Sequence, residues 1–527
     1  MKIPDIFIRK LNSSLVFIDG NPRIIREIES YFKTKAANYQ FSPKYREGFW
    51  DGWIRHFPIE TQHLPIGLVP EVLRFLRKGG YTAELDYEQT HDISVDFFKR
   101  FVKALDIRIL DRYGKPIPDA RPRDYQMQSS FDAITKMHQN IEVPTSGGKT
   151  LISYLIARYM QARGAKMILI VPTTTLVEQT YGDWFDFGWD YVRDHVHRIY
   201  SGQEKWFGAP VTVSTWQSLY TNKDIFEQFD CLMIDEAHGA KPNSLKNIAN
   251  WCYNAEWRIG MSGTYPTFED KDERSNYFNI VGALGPIKIY TTYKEMQDEG
   301  WIPKIKIRSI ILRYAQERRR EIATEMLALR AEERELKARG LKAPSTYNVE
   351  IDMIHDLSER NEFICNLIDK SCEGNTMVLF TKTDKHGVPL KAELEKFFHN
   401  KKKILYIDGG VKTEERNLMR KRIDVEDDMI LIASYGTFST GISIKNVHNI
   451  VFASSYKSKI KILQSIGRGL RKMEGKHHVM IYDIVDDCTI RMKNQPAYEN
   501  TSLKHFKKRK MIYKEKGLDW KSIKYNF

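Results

Sequence analysis

The sequence predicts an α/β protein built on parallel sheets, and three observations carry that prediction. Short runs that are almost continuous in apolar residues alternate with stretches of helical apolar spacing. That is the pattern of strands buried on both faces and joined by crossover helices. The runs fall in two series, one from residue 141 to about 290 and one from about 300 onward, so two such sheets are expected. Finally, Val143-Pro-Thr-Ser-Gly-Gly-Lys-Thr150 stands between an apolar run and Leu151-Ile-Ser-Tyr-Leu-Ile-Ala157, which has a helix's spacing. A strand, a glycine loop and a helix in that order form a phosphate cradle.

Residues 1–112 read as a small α+β unit ahead of the first series. Leu15–Ile18 is a strand candidate, and Pro22 opens a helical stretch through Phe32. Between Tyr39 and Phe57, aromatic and basic residues interleave: Lys44, Tyr45, Arg46, Phe49, Trp50, Trp53 and Arg55. Such interleaving suits base stacking with phosphate contacts alongside, which makes Lys44, Arg46 and Trp50 candidate nucleic-acid residues. A small aromatic core with a solvated basic edge gives the same pattern. Residues 109–122 carry Gly114, Pro116, Pro118 and Pro122 and read as a linker.

The first series then supplies chemistry. Gly147 and Gly148 let backbone N–H groups turn toward phosphates, and the helix N-terminus adds partial positive charge. Lys149 is placed to reach the β- and γ-phosphates, and Thr150 to hold Mg²⁺. The runs Met167–Val171, Val211–Val213, Cys231–Ile234 and Arg258–Met261 predict strands, and ligands collect at the carboxyl ends of such strands. Asp235-Glu-Ala-His238 follows one run directly. One carboxylate there can hold a metal through water while its neighbour orients an attacking water, the two roles that phosphoryl transfer requires.

The second series comprises Thr376–Phe380, Ile404–Ile407, Met429–Ala433, Ile450–Ala453 and Val479–Tyr482. Gln464-Ser-Ile-Gly-Arg-Gly-Leu-Arg471 lies within it. A spacing of one helical turn lets Arg468 and Arg471 face one direction, and guanidinium groups suit a γ-phosphate as its charge spreads. Between the series, Gln316 to Gly340 reads as an exposed, salt-bridge-laced helix. Residues 501–527 hold nine Lys/Arg against two Asp/Glu, a basic tail that either grips phosphates or is a disordered end.

Bulk properties narrow the class. A net charge of +14, from 82 basic and 68 acidic residues, favours a polyanionic partner. No apolar run approaches the roughly 18 residues that span a bilayer, so no membrane partner is expected. The N-terminus lacks a secretory pattern. The five cysteines are scattered, with no Cys-x-x-Cys pair, which fits a reducing cytoplasm.

In their order, these motifs resemble the superfamily 2 helicases, whose motor is two RecA-like lobes. Arg123-Asp-Tyr-Gln126 is similar to the adenine-reading Q motif, and Pro144–Thr150, with Thr145 and Ser146, to motif I. Val171–Leu176 resembles motif Ia, Ser214–Gln217 motif Ic, Asp235–His238 motif II, Ser262-Gly-Thr264 motif III and Phe380-Thr381 motif IV. Ser439–Ser443 resembles motif V and Gln464–Arg471 motif VI. Within the superfamily the chain is most similar to the UvsW-type phage helicases of recombination and repair. The leader Phe41–Gly52, Leu64–Val69, Ala433–Ser443 and Tyr456–Ile460 carry that resemblance. Departures are Val143, Ser146 and the charged insert at 316–345.

The resemblance implies a nucleic-acid-binding domain at 1–112, a first lobe at 113–295, a second at 296–490 and a basic extension at 491–527. It implies ATP and Mg²⁺ as cofactors and DNA, branched or duplex and extending to R-loops, as partner, acted on by a monomer in the host cytoplasm. Lys149, Asp235, Glu236, His238, Gln464, Arg468 and Arg471 are the implied catalytic set, with ATP gripped between the lobes. Arg123, Tyr125, Gln126, the loop 144–150 and Gly441 bind nucleotide, and Thr150 and Asp235 bind metal. Thr173, Trp216, Gln217 and Thr440 join Lys44, Arg46 and Trp50 on nucleic acid, while Ser262 and Thr264 couple the two events. Two alternatives stay open: an RNA-directed helicase, and the motor subunit of a nuclease or restriction system, for which Asp483, Asp486 and Asp487 are the acidic candidates. A clamp that uses ATP only structurally is disfavoured by Lys149, Glu236 and Arg471.

Overall fold

A computed structural model describes residues 3–527 apart from 37–38, 89, 111–114, 119, 201–207, 220–222, 240–241, 342–344, 440–443, 457, 471–472, 474 and 492–496. The chain divides into two compact units, Met1–Thr291 and Thr292–Phe527.

The first unit opens with a four-stranded sheet in the order His63–Pro65, Leu15–Gly20, Ile6–Lys10, Ala83–Leu85. Helix Pro22–Tyr31 starts at the Asn21 cap and buries Ile24, Ile25 and Ile28, the face its apolar spacing marks. These residues do not close a core alone, because Phe278 and Val281 of helix Arg274–Leu284 complete it. Gly67 permits the approach: a Cβ there would lie 2.0 Å from the Val281 carbonyl oxygen. Buried Arg258 adds a polar seam, donating to Ser14 Oγ at 2.6 Å and to the Ala249 carbonyl at 3.0 Å.

The larger sheet of this unit has seven strands, all parallel. Their order is Ile287–Ile289, His138–Glu142, Trp257–Ser262, Cys231–Asp235, Met167–Val171, Val211–Thr215, Val196–Ile199. The four expected strands take four of its five interior places, and the fifth, His138–Glu142, is largely buried yet carries polar residues. The two edge strands, which the apolar-run pattern misses, carry His197, Arg198 and Lys288 and are only partly buried, so they lack the continuous apolar signature.

The second unit repeats the architecture with seven parallel strands. Their order is Lys403–Ile407, Met429–Ser434, Thr376–Phe380, Asn449–Phe452, His478–Asp487, Lys304–Arg313, Asp519–Asn526. Lys304–Arg313 alternates lysine and arginine with isoleucine over its first half, which hides it from a search for apolar runs.

Two expectations change here. The charged helix Gln316–Ala338 is exposed on one side only, since Ile322, Ala323 and Met326 are buried in the unit's core. Arg330 also reaches the fully buried Glu350 at 3.2 Å. The basic C-terminal stretch is ordered: helix Thr501–Glu515 packs on the sheet and Asp519–Asn526 forms its edge strand.

Candidate functional site

The phosphate loop leaves strand His138–Glu142 and enters helix Lys149–Ala162. Val143, the departure from the common pattern, is fully buried, and its N–H donates to the Ser262 carbonyl at 3.0 Å. An apolar side chain there extends the sheet's core to the loop's base. Ser146 and Gly148 adopt φ of +68° and +79°, and the Gly147 N–H donates to the Pro144 carbonyl at 2.9 Å. These steps bend the loop around the helix N-terminus, the geometry that turns N–H groups toward an anion. Thr150 is the helix's second residue and is partly exposed.

A strap crosses the loop. Tyr125 Oη donates to the Gly147 carbonyl at 2.5 Å and Gln126 Nε2 to the same oxygen at 3.0 Å. Gln126 Oε1 accepts from the Arg123 N–H at 2.8 Å, and Arg123 Nη1 lies 3.0 Å from Tyr125 Oη. Tyr125 and Gln126 are buried and hold the loop backbone. A Cβ on residue 148 would sit 2.3 Å from Gln126 Nε2, and the φ of +79° would strain any other side chain there.

The carboxylates stand at the end of strand Cys231–Asp235. Glu236 takes φ +50°, a left-handed turn that is uncommon outside glycine and marks a held conformation. Its Oε1 lies 3.7 Å from Lys149 Nζ, and its Oε2 lies 3.3 Å from His238 Nδ1. Asp235 Oδ1 accepts from the Glu236 N–H at 2.9 Å. His238 Nδ1 is 2.6 Å from Ser262 Oγ, which donates to the Thr264 carbonyl at 2.7 Å and accepts the Thr264 N–H at 3.1 Å. Motif I lysine, motif II carboxylate and histidine, and motif III serine and threonine thus form one continuous polar chain. Burial holds the His238 imidazole below the ordinary histidine range, with Glu236 pulling it up and Lys149 pushing it down. The ring is therefore neutral at pH 7. Gly263 lies against the loop: a Cβ there would be 3.3 Å from Thr145 Oγ1 and 3.7 Å from Lys149 Nζ.

Gln464 and Arg468 share the half-exposed face of helix Lys459–Arg468, whose other face buries Ile462, Leu463 and Ile466. The helix ends at Arg468 with Gly469 as its cap. Arg471, Thr440 and Gly441 lie outside the described residues. The acidic candidates for a nuclease are consumed by ion pairs. Asp483 is fully buried and receives Arg509 at 2.9 Å and Tyr513 Oη at 3.0 Å. Asp486 receives Arg360 and Tyr314 Oη, each at 2.8 Å, and Asp487 receives Arg313 at 2.8 Å. Among the described residues no group of three or more His, Cys, Asp or Glu side chains converges as a metal site. A divalent cation at the loop would be held by Thr150 and Asp235 together with the nucleotide's own oxygens.

The candidate nucleic-acid residues fall in several places. Thr173 caps helix Thr174–Asp186, its Oγ1 accepting from the Leu176 N–H. Trp216 is half-buried against the core, whereas Gln217 is exposed. In the N-terminal region, strands Lys33–Lys35 and Trp53–Arg55 pair as a ribbon, and the chain between them makes an excursion. Lys44 and Arg46 on it are exposed. Trp50 is half-buried, donating its indole N–H to the Trp53 carbonyl at 2.9 Å. Phe41 and Phe49 are the bare aromatics, 60% and 81% exposed. Lys35 lies 4.5 Å from the ring centres of both Tyr39 and Trp53. The aromatic-core alternative is excluded for Phe41 and Phe49. The sequence named their neighbourhood but pointed to Trp50, because only coordinates separate a supporting indole from an exposed ring.

Three family models match the chain: "DNA helicase UvsW, N-terminal" over residues 5–86, "Type III restriction enzyme, res subunit" over 119–267 and "Helicase conserved C-terminal domain" over 359–473. The "ATP-dependent DNA helicase uvsW" of Enterobacteria phage T4 is 33% identical over 500 residues, covering 93% of this chain and 92% of the relative. The "DNA 3'-5' translocase XPB2" of Sulfurisphaera tokodaii is 23% identical, covering 67% of this chain and 79% of its own. The crystal structure of T4 UvsW aligns with 99% of this chain and 99% of its own, at 31% identity and a TM-score of 0.49. With its ordered motifs, its paired parallel sheets and an identity of 33% along nearly its whole length, the chain belongs to the UvsW-type family of ATP-dependent, superfamily 2 DNA helicases.

Proposed function

We propose that the chain uses ATP hydrolysis to remodel branched DNA: fork regression, Holliday-junction migration and unwinding of D-loops or R-loops. The observation that carries the reading is the chain of contacts from Lys149 through Glu236, His238 and Ser262 to Thr264. In this reading the loop 144–150 cradles the phosphates and Lys149 neutralises them. Glu236 orients and deprotonates the attacking water, and its contact with His238 transmits that state to Ser262 and Thr264. Neutral His238 relays a hydrogen bond and carries no competing positive charge. Thr150 and Asp235 would hold Mg²⁺, which when bound would supply charge neutralisation at the phosphate oxygens. Arg468, with Arg471, is assigned to the γ-phosphate, and a contact made in only one nucleotide state is what shifts a conformational balance.

Residues 1–112 are assigned to DNA recognition through Phe41, Phe49, Lys44 and Arg46, with the two parallel sheets as motor lobes. We take the protein to act as a monomer in the host cytoplasm. The test compares ATPase stimulation and strand displacement on single-stranded DNA, blunt duplex, a four-way junction and an R-loop. Stimulation and remodelling greatest on the branched substrates support the reading. Equal turnover on all four, or a response confined to RNA, overturns it.

A further inference from the structure

The turn after helix Lys459–Arg468 holds a buried lysine that belongs to none of the motifs. Lys476 is 5% exposed. Gly475, at φ +79°, makes the left-handed step that delivers it. Its Nζ donates to the Gly469 carbonyl at 2.6 Å and to the Lys445 carbonyl at 3.0 Å. Gly469 caps the helix that ends in Arg468, so the first bond fixes the turn carrying the γ-phosphate arginine. A lysine at a helix C-terminus meets carbonyls left without helical partners. Lys445 follows Ser439–Ser443 closely, so the second bond holds the chain leaving motif V.

That chain is gripped from its other side as well. Asp424, on helix Thr413–Val425, accepts from the N–H groups of Lys445 at 2.6 Å and Asn446 at 3.3 Å. One short segment is thus anchored through its amides by a carboxylate and through its carbonyl by an ammonium. Burying an ammonium is costly unless it is bonded, so this placement needs a reason. Burial brings the Lys476 ammonium down to about 7, against the pull of Asp424. His448 also feels the lysine's charge.

We propose that Lys476 is a positioning residue that clips the motif VI turn to the chain leaving motif V, so that nucleic-acid contact at motif V sets the arginine that serves ATP. The inference rests on the helicase reading above. In that reading motif V touches DNA and motif VI touches phosphate, and a shared ammonium makes the two segments move as one.

The test measures ATPase kinetics of the full chain with and without a four-way junction, from pH 6 to 9. Lys149→Ala serves as the control for the reading itself, and its full activity would overturn that reading rather than this inference. With Lys476→Met, kcat on the junction should fall about 10- to 100-fold, the rate equivalent of a lost charge-assisted hydrogen bond, while KM for ATP holds. Lys476→Arg, which keeps charge and donors, should recover part of the loss. Junction stimulation of the parent should decline as pH rises through about 7, because the protonated form makes the stronger clip. Should Lys476→Met not fold, Asp424→Asn keeps an oxygen for the two amides but removes the charge that favours the ammonium, so the decline should move to lower pH. Parent-like kcat in Lys476→Met, or an unmoved pH profile in Asp424→Asn, would overturn the proposal.

Discussion

Replacing Arg509 with methionine tests whether the C-terminal helix is structural and whether the acidic candidates of the second unit are free for chemistry. Arg509 Nε donates to Asp483 Oδ2 at 3.0 Å, and Nη2 lies 2.9 Å from Oδ1. Both side chains are essentially excluded from solvent. The variant leaves the carboxylate with Tyr513 Oη at 3.0 Å and the weaker Ser309 contact at 3.4 Å. Removing one partner of a buried pair costs about 3–5 kcal/mol, because the other charge stays buried. For a unit of this size each kcal/mol lowers the melting temperature by about 2–4 °C, so a fall of roughly 6–20 °C is expected. Scanning calorimetry of the parent, Arg509→Met and Arg509→Met with Asp483→Asn reads it directly. The double variant should regain much of the loss, since no uncompensated charge remains. A shift below about 1 °C in the single variant would mean that Arg509 does not compensate the Asp483 charge, because a buried unpaired carboxylate cannot be that cheap.

Two further outcomes are expected. Alanine at Phe41 and Phe49 should weaken binding to a junction with single-stranded arms by about tenfold or more, at about 1–3 kcal/mol per stacked base, and spare blunt duplex; anisotropy titrations showing equal losses on both would contradict base stacking. The stacked, buried pair His355 and His386, with ring centres 3.7 Å apart, should make the second unit acid-sensitive. Burial, together with nearby Arg360, holds both imidazoles well below the ordinary histidine range. Both rings are neutral in folded and unfolded chains above about pH 6.5, and the unfolded chain takes up protons first as pH falls. Each therefore removes about 1.4 kcal/mol of stability per pH unit below 6.5 until its folded value is reached. His355→Phe should flatten that slope in urea titrations, and an unchanged slope would contradict the assignment.

Much of the fold was legible because several interior strands of both sheets are continuous apolar runs, as Met167–Val171 and Thr376–Phe380 illustrate. What escaped was placed by tertiary contact. Lys304–Arg313 lies between two strands yet carries its lysines in alternation. The basic stretch after residue 500 reads as a tail until Arg509 and Tyr513 are seen to meet Asp483. Around the phosphate loop, motif order named Lys149, Glu236, His238 and Ser262, and the loop and strand ends bring those four side chains into one series of contacts. The strap from Tyr125 and Gln126 to Gly147 was beyond reach, because a side chain bonded to a backbone carbonyl leaves no periodic trace. The same holds for Phe278 and Val281, which complete the N-terminal core from distant sequence. Removing the N-terminal region would therefore uncover apolar surface on the first lobe, and point variants in the 39–50 excursion are the cleaner probe of DNA recognition.

In the proposed mechanism Glu236 activates water beside a lysine-held phosphate. Equilibrium nucleotide binding and steady-state hydrolysis of Glu236→Gln, measured on the same junction-bound protein, test it most directly. Retained ATP affinity with turnover reduced by about 10²-fold or more is the predicted result. Hydrolysis at the parent rate would contradict it.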